Sequence, residues 1–310
     1  MKYIITLLFT LNVLTVSAQD VKIQGPKKTQ STNAGNGKRT NNVNSESKKK
    51  KIPQSTNAGN GKRTNNVNSE SKKKKILSEL ANNMVYVEGG TYMMGNNYEG
   101  EQFKSIPPFD YPAHSVTVKS FYICKYEVTQ ELWQAVMNSN PSGSFDGTQS
   151  QVKGQKKPVV NVSRQECNEF ISKLNMLTGR IYRLPTEEEW EYAARGGSRS
   201  YGYKYSGSQT LNSVAWYESN SGSMLHEVGQ KAPNELGLYD MSGNAAEWCS
   251  NSWYYYDNLS YKPYFGVYRG GSWKDNECRS TITCRDMHLS PDNHYFNTIG
   301  FRLVLRPYEQ

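Results

Sequence analysis

The chain has 310 residues and a formal net charge of +9, a length that allows one large domain or two small ones. The charge is unevenly distributed. Residues 19–76 hold 15 Lys and Arg against 3 Asp and Glu, whereas residues 77–310 hold 21 against 25. Because the larger part is mildly acidic, overall basicity does not indicate a nucleic-acid-binding domain, and we expect no specific nucleic-acid binding.

The first 18 residues are typical of a signal peptide. Lys2 supplies a positive charge, residues 4–16 are mostly apolar, and Val16-Ser17-Ala18 ends the segment in small residues. A membrane anchor is the alternative, but the apolar stretch is too short to span a bilayer and contains Asn12. No later segment is apolar enough to cross a membrane. We therefore expect an exported protein that is periplasmic, displayed on the cell surface or extracellular.

Residues 19–76 contain a 23-residue repeat, since Gln30–Ile52 and Gln54–Ile76 are identical. The repeat is rich in Asn, Ser, Gly and Lys and has almost no large apolar residue, so no core offsets the entropy of ordering it. We predict a disordered basic tether. The four lysines near the end of each copy would attract anionic surfaces, and a solvated spacer is the simpler alternative.

The pattern of residues 77–310 indicates a single α+β domain with little regular secondary structure. Short runs rich in β-branched and aromatic residues predict strands at Met84–Val87, Thr91–Met94 and Ser115–Tyr122. Polar residues that precede amphipathic stretches predict helices beginning after Thr129, Ser163 and Thr186. Beyond Gly197 the chain is rich in Gly, Ser, Asn and aromatic residues, which predicts many loops.

The five cysteines do not form a disulfide framework of the kind that holds small secreted domains together. They are Cys124, Cys167, Cys249, Cys278 and Cys284. Export would permit one or two bridges, and the odd number leaves at least one thiol unpaired or bridged to another chain. No C-x-x-C pair is present, so a structural zinc site is not expected.

Eight sequence blocks follow one another between Leu77 and Pro307. They are MVYVEGGTYMMG, FYICKYEVTQELWQAVM, PVVNVSRQECNEFISKLN, RLPTEEEWEYAARGG, VAWY, PNELGLYDMSGNAAEW, YRGGSW and IGFRLVL. In this order they resemble the formylglycine-generating-enzyme, or sulfatase-modifying-factor, family. The resemblance implies an irregular α+β fold related to C-type lectins.

The resemblance implies an oxidase site that this chain does not complete. Enzymes of the family oxidise a sulfatase cysteine to formylglycine with oxygen and a copper ion held by two cysteines, which are soft ligands suited to Cu⁺. The matching positions here are Asp275 and Ser280, and neither replaces a copper thiolate. Cys278 and Cys284 lie nearby but out of register. A shifted copper pair, a disulfide and two separate thiols are the alternatives for them.

The resemblance also implies calcium sites. One would use the side chains of Asp240 and Glu247 and the carbonyl groups of Gly243 and Ala245, a mixture that a hard cation prefers. The alternative is that the two carboxylates only hold the loop by accepting backbone N–H groups. A second family site would fall on four residues without a carboxylate: Ser208, Gln209, Asn212 and Val214.

Together these features predict an exported pseudoenzyme, a calcium-stabilised module for envelope assembly or for binding a protein or glycan ligand. The first alternative is an active formylglycine-generating oxidase, which would require Cu⁺. The second is a ligand-binding protein with a diversified C-terminal loop. Residues Lys274–Thr298 are rich in Asn, Asp, His, Ser and Tyr, as a variable binding face would be.

Overall fold

The computed structural model describes residues 60–97, 109–143, 149–252, 265–288 and 296–307. The chain divides into two units, Met1–Thr56 and Asn57–Gln310, and every described residue belongs to the second. The predicted signal peptide and the first copy of the repeat lie outside the described residues. Residues 289–295 of the predicted diversified loop lie outside them as well.

The described part of the chain contains helices and short strands that are mostly grouped by type along the sequence. The helices are α1 (Asn60–Asn82), α2 (Gln130–Met137), α3 (Gln149–Val152), α4 (Arg164–Thr178), α5 (Glu187–Ala194) and α6 (Leu211–Val214). The strands are β1 (Met84–Val87), β2 (Gly90–Met94), β3 (His114–Val118), β4 (Phe121–Cys124), β5 (Tyr182–Arg183), β6 (Ala246–Ser252), β7 (Gly266–Arg269), β8 (Arg285–His288), β9 (Ile299–Gly300) and β10 (Val304–Leu305). The α+β class is confirmed, and the region beyond Gly197 consists mainly of loops, as predicted.

The strands form three small sheets. One has the order β1-β4-β10-β5 with antiparallel neighbours, and β2 and β3 form a separate antiparallel pair. The third has the order β8-β7-β6-β9, in which β9 runs parallel to β6. The prediction of a single strand over Ser115–Tyr122 is wrong. The segment is split into β3 and β4, because β3 pairs with β2 and β4 pairs with β1 in a different sheet.

Three of the helices begin as their capping residues predict. Thr129 caps α2 by accepting the Leu132 N–H. Ser163 and Thr186 start α4 and α5 with complete capping boxes, in which a side-chain hydroxyl and a glutamate carboxylate each accept a backbone N–H. The amphipathic face of α4 then enters the core, where the Phe170 ring stacks on Trp133 at 5.1 Å between centroids.

Helix α1 crosses the boundary predicted at residue 77 between tether and domain. Its last turns carry Ile76 and Leu80, which are buried in the same core cluster as Leu132 and Leu174. The two residues are four apart and therefore share one helix face. Composition alone placed Ile76 in the tether, but its burial makes the end of the second repeat part of the domain. Within the described residues, no helix is both long and apolar enough to cross a membrane.

Candidate functional site

The first set of residues that the resemblance assigns to calcium lies on and beside the loop leading into β6. Three residues there have a left-handed backbone, with φ of 57° at Asp240, 81° at Gly243 and 58° at Asn244. Position 243 requires glycine, because a Cβ atom would come within 2.4 Å of the Trp216 carbonyl oxygen. The loop therefore turns tightly just before Ala245, and β6 begins at the next residue, Ala246.

Asp240 is buried, and only one of its two carboxylate oxygens accepts a hydrogen bond from a described residue. Its Oδ2 accepts the Gly229 N–H at 2.7 Å, whereas its Oδ1 is buried without a hydrogen-bond partner among the described residues. Burial raises the pKa of Asp240 to about 6, although the Gly229 N–H and Arg302 lower it. A buried carboxylate oxygen with free lone pairs is a suitable ligand for a hard cation. Asp240 therefore fits a calcium site.

Glu247 is buried at the start of β6 and is held by two other side chains. Arg302 donates from Nη2 to Oε1 and from Nε to Oε2, both at 2.6 Å, and Trp190 Nε1 donates to Oε2 at 2.7 Å. This two-pronged pair fixes the carboxylate in a structural role. Because Oε1 accepts only the Arg302 bond among these three, it retains a lone pair that a cation could use.

Glu127 is a third buried carboxylate at this loop, which sequence reasoning missed. Its Oε1 accepts the Ala245 N–H at 3.0 Å and its Oε2 accepts the Asn244 side-chain amide at 3.2 Å. Burial, followed by the charges of Asp240 and Glu247, raises the pKa of Glu127 well above its ordinary range. The signal for it in the sequence was an acidic residue directly before the buried Val128, in the connection between β4 and α2.

The carboxylates do not by themselves surround a metal. Within the described residues, no group of three or more His, Cys, Asp or Glu side chains is arranged to hold a metal ion. A cation at this loop would therefore depend on backbone carbonyl groups as well, as the family's mixed set of Gly243 and Ala245 carbonyls with Asp240 and Glu247 implies.

The second set fits calcium poorly, because its side-chain oxygens are already used. Ser208 Oγ accepts the Thr210 N–H at 2.9 Å, and Gln209 Oε1 accepts the Lys204 N–H at 3.3 Å. The Val214 side chain is buried in a small apolar cluster. None of these groups is a carboxylate.

Asn212, the remaining member of the second set, already has an ammonium group beside it. Lys231 Nζ donates to the Asn212 carbonyl oxygen at 2.8 Å and lies 4.0 Å from the centre of the Trp216 ring. The His226 ring also stacks on Trp216, with 3.7 Å between the ring centroids. Asn212 thus has a cation partner within the chain.

The positions of the family's copper cysteines are occupied by two well-bonded oxygen side chains. Asp275 Oδ2 accepts the Ser272 hydroxyl at 2.6 Å, and Ser280 is fully buried with its hydroxyl donating to the Asn276 carbonyl at 3.2 Å. Both side chains stabilise the turn after the GGSW motif. This arrangement offers no thiolate to a copper ion at either position.

Cys278 and Cys284 instead line a pocket of about 530 Å³. Cys278 is exposed, Cys284 is half-buried, and neither forms a disulfide. Burial raises the pKa of the Cys284 thiol to about 12, so it is protonated at neutral pH. Phe109, Tyr203 and Ile282 give the pocket an apolar part, and its polar part includes Arg195, Lys204, Arg279 and Asp286.

A chain of buried ion pairs supports the pocket from behind. Arg195 pairs with Glu191, Glu191 with Arg269, Arg269 with Glu187 and Glu187 with Arg285. The side chains of the three inner residues and of Arg285 have no exposed surface, and the two end members, Arg195 and Arg285, line the pocket. Such a fully paired network fixes the position of the two arginines.

The family comparison agrees with this architecture. A family model described as "Sulfatase-modifying factor enzyme 1-like domain" matches residues 69–307, which is most of the chain. The chain belongs to this family. The match starts within α1, in agreement with the burial of Ile76.

Curated relatives of this sulfatase-modifying-factor-like chain have several different names. The chaperone protein LppX of Paenibacillus barcinonensis is 33% identical over 55% of this chain and 71% of its own length. The inactive C-alpha-formylglycine-generating enzyme 2 of Mus musculus is 28% identical over 71% of this chain and 84% of its own length. The serine/threonine-protein kinase pkn1 of Chlamydia caviae is 28% identical, and the chain spans only 38% of that relative's length.

Among solved structures, the Treponema denticola variable protein 1 is similar to this chain. The two are 30% identical, and the match covers 72% of this chain and 95% of the other with a TM-score of 0.61. Relatives of this family thus include a protein named as an inactive enzyme, one named as a chaperone and one named as variable.

Proposed function

We propose that the protein is an exported, non-catalytic binding module of the sulfatase-modifying-factor family. The observation that carries the proposal is the replacement of both copper cysteines by Asp275 and Ser280, whose oxygens are committed to Ser272 and Asn276. If the copper pair has moved along the chain, Cys278 and Cys284, which are free thiols lining the pocket, would have to supply both thiolates. The relative named as an inactive enzyme supports this interpretation.

The binding surface in this proposal is the 530 Å³ pocket, which accepts a protein or glycan ligand. Its size is that of a small-molecule or side-chain site, and it combines the aromatic side chains of Phe109 and Tyr203 with many charged and polar groups. The ion-pair chain behind it provides rigid positioning for Arg195 and Arg285. A calcium ion at the loop before β6, held by Asp240, Glu247 and the Gly243 and Ala245 carbonyls, would stabilise the domain and would take no part in chemistry.

The oxidase alternative is tested by incubating the mature protein with Cu⁺, oxygen and a peptide that carries a Cys-x-Pro-x-Arg sequence. We expect the peptide mass to stay unchanged. Conversion of the cysteine to formylglycine, lost in a Cys278→Ser or Cys284→Ser variant, would overturn the proposal and show that the copper pair has moved along the chain.

The binding proposal is tested on glycan and peptide arrays with the wild-type protein and two variants. Tyr203→Ala changes the pocket, whereas Tyr86→Ala changes an exposed tyrosine that does not line the pocket. We expect one ligand class to bind the wild type and the Tyr86 variant and to be lost in the Tyr203 variant. Equal binding by all three proteins would refute the pocket as the site.

One observation favours the more specific function of a diversified ligand-binding protein. Part of the pocket lining comes from the polar stretch Lys274–Thr298. It consists of Cys278, Arg279 and residues 281–286. The similarity to a solved structure named as a variable protein points the same way. A second genomic copy that differs only at adenine-encoded codons of this stretch would support the function. Sequencing the locus and finding no such copy would refute it.

A further inference from the structure

The pocket is lined by more cationic than anionic side chains. Its cations are Arg195, Lys204, Arg279 and Arg285, and its carboxylates are Asp110 and Asp286. A cation that is paired with a carboxylate still has something to offer a ligand, because a guanidinium carries five N–H donors and one ion pair uses only some of them. The hydrogen-bonding groups that remain unengaged therefore decide which ligand chemistry the pocket suits.

Arg195 and Arg279 each retain unengaged N–H groups. Arg195 donates to Glu191 from Nε and Nη2, and its Nη1 has no acceptor among the described residues. Arg279 pairs with Asp286 through Nη1 and has its Nε 4.0 Å from Asp275 Oδ1, and within the same residues its Nη2 has no acceptor either. The Arg195 side chain is 23% exposed and that of Arg279 is 51% exposed, so a ligand can reach both.

Lys204 supplies a third donor. Its Nζ lies 5.1 Å from the centre of the Tyr205 ring, and in the described part of the chain no oxygen accepts a hydrogen bond from it. A ring face attracts the charge of an ammonium group but does not use its three N–H donors as hydrogen-bond acceptors would. Because Lys204 is exposed, these donors are open to a ligand.

Two acceptors of the pocket are already engaged. Asp286 Oδ1 accepts the Met287 N–H at 2.9 Å, and its Oδ2 pairs with Arg279. Gln209 Oε1 accepts the Lys204 N–H at 3.3 Å. The unengaged groups on Arg195, Lys204 and Arg279 are thus cationic donors. An ionised carboxylate, which only accepts hydrogen bonds, complements such donors in both charge and polarity.

Two tyrosines lie beside these donors. Tyr203 lines the pocket, and the Tyr201 ring lies 5.7 Å from it between centroids, with 75% of Tyr201 exposed. Such rings provide a rigid contact area that is apolar on its faces and polar at the hydroxyl. A pyranose ring has C–H groups on its faces and oxygens along its edge, so it matches an aromatic face flanked by N–H donors. An acidic peptide shares the carboxylate but has no such ring.

From these contacts we infer that the pocket binds an acidic sugar, a uronic-acid unit of a glycan whose carboxylate accepts hydrogen bonds from Arg195, Lys204 and Arg279. The inference rests on the binding function proposed above and narrows its ligand. Lys204 is the residue to test, because it is exposed and its ammonium group has no ion pair among the described residues. The two arginines also pair with carboxylates of the protein, so their loss would disturb the pocket itself.

The test uses an array of uronic-acid oligosaccharides, each paired with its methyl ester, which keeps the sugar ring and removes the charge. Affinities for the pair bound best are then measured by calorimetry at about 50 mM and about 500 mM NaCl. The proteins are the wild type, Lys204→Gln, Lys204→Arg and Lys119→Gln. Lys119 is the matched control, because it is an exposed lysine that does not line the pocket.

We expect the wild type to bind at least one acid about tenfold more tightly than its ester, and added salt to weaken binding of the acid. Lys204→Gln should bind the acid about tenfold more weakly than the wild type and the ester equally well. Lys204→Arg should retain most of the affinity for the acid, and Lys119→Gln should bind like the wild type.

Four results would overturn the inference. They are an ester bound as tightly as its acid, binding of the acid by Lys204→Gln within about twofold of the wild type, an equal loss in Lys119→Gln, and a wild type that binds no member of any pair. In the last case, a peptide that binds the wild type but not Tyr203→Ala would leave the binding function standing and show that the pocket takes a protein. The absence of any ligand that depends on Tyr203 would refute the pocket as a binding site altogether.

Discussion

Replacing Glu187 by Gln should strongly destabilise the domain, because Glu187 joins two buried arginines behind the pocket. Its carboxylate accepts Arg285 Nη2 at 2.7 Å and Arg269 Nη1 at 3.3 Å, and none of the three side chains is exposed. Glutamine preserves the shape but leaves Arg269 and Arg285 with less negative charge beside them. Removing one partner of a buried ion pair costs about 3–5 kcal/mol. At about 2–4 °C per kcal/mol for a domain of this size, Tm should fall by roughly 10 °C.

The measurement is thermal unfolding followed by circular dichroism, with Glu188→Gln as the control. Glu188 is the adjacent helix residue, is only partly buried and accepts bonds from the neutral Asn251 amide. Its variant should lose no more than about 1 kcal/mol. If Glu187→Gln melts within a degree or so of Glu188→Gln, the ion-pair chain does not stabilise the domain and the reasoning is refuted.

The Glu187→Gln variant also allows a prediction of how the difference in Tm from the wild type changes with pH. Burial alone would raise the pKa of Glu187, but Arg285 and Arg269 outweigh burial and hold the pKa below its ordinary value. A lowered folded-state pKa contributes stability above the unfolded value and loses it as the pH falls through the folded value. The difference in Tm between the wild type and Glu187→Gln should therefore shrink below about pH 4. A difference that stays constant into acid would contradict this account.

Three further predictions concern other parts of the chain. Ile76→Ala should cost about 2–4 kcal/mol in chemical denaturation, because it leaves a cavity under α1, whereas Ile181→Ala, at an exposed position, should cost little; equal effects would show that α1 does not dock. In the native protein a thiol reagent should react rapidly with Cys278 alone, because three other thiols are buried and burial raises the pKa of the Cys284 thiol. The Cys278→Ser variant should therefore show no rapid labelling, and rapid labelling of this variant would contradict the prediction. Calcium should bind with a stoichiometry of one, because Lys231 occupies the Asn212 carbonyl, and a second wild-type site by calorimetry would refute this.

The parts of the fold that local chemistry specifies were predictable from the sequence. The capping boxes at Ser163 and Thr186 start α4 and α5 because each uses side chains only three residues apart. The ordered motifs likewise identified the family, which the family model confirms. Prediction from the sequence failed where the local pattern was ambiguous. Nothing in the run SVTVKSFY reveals that its two halves pair with different sheets, and the composition of the repeat conceals that Ile76 is buried.

The candidate site was decided by contacts between distant segments, which only the tertiary structure brings together. Glu127 meets Ala245 across 118 residues of sequence, and Arg302 reaches Glu247 across 55. The Lys231 ammonium lies against Asn212 and Trp216 by the path of an irregular loop. The sequence alone therefore determined which side chains have the right chemistry, namely carboxylates, thiols and ammonium groups. Whether each is exposed, paired or left without a partner depends on burial, and burial is set by how the whole chain packs.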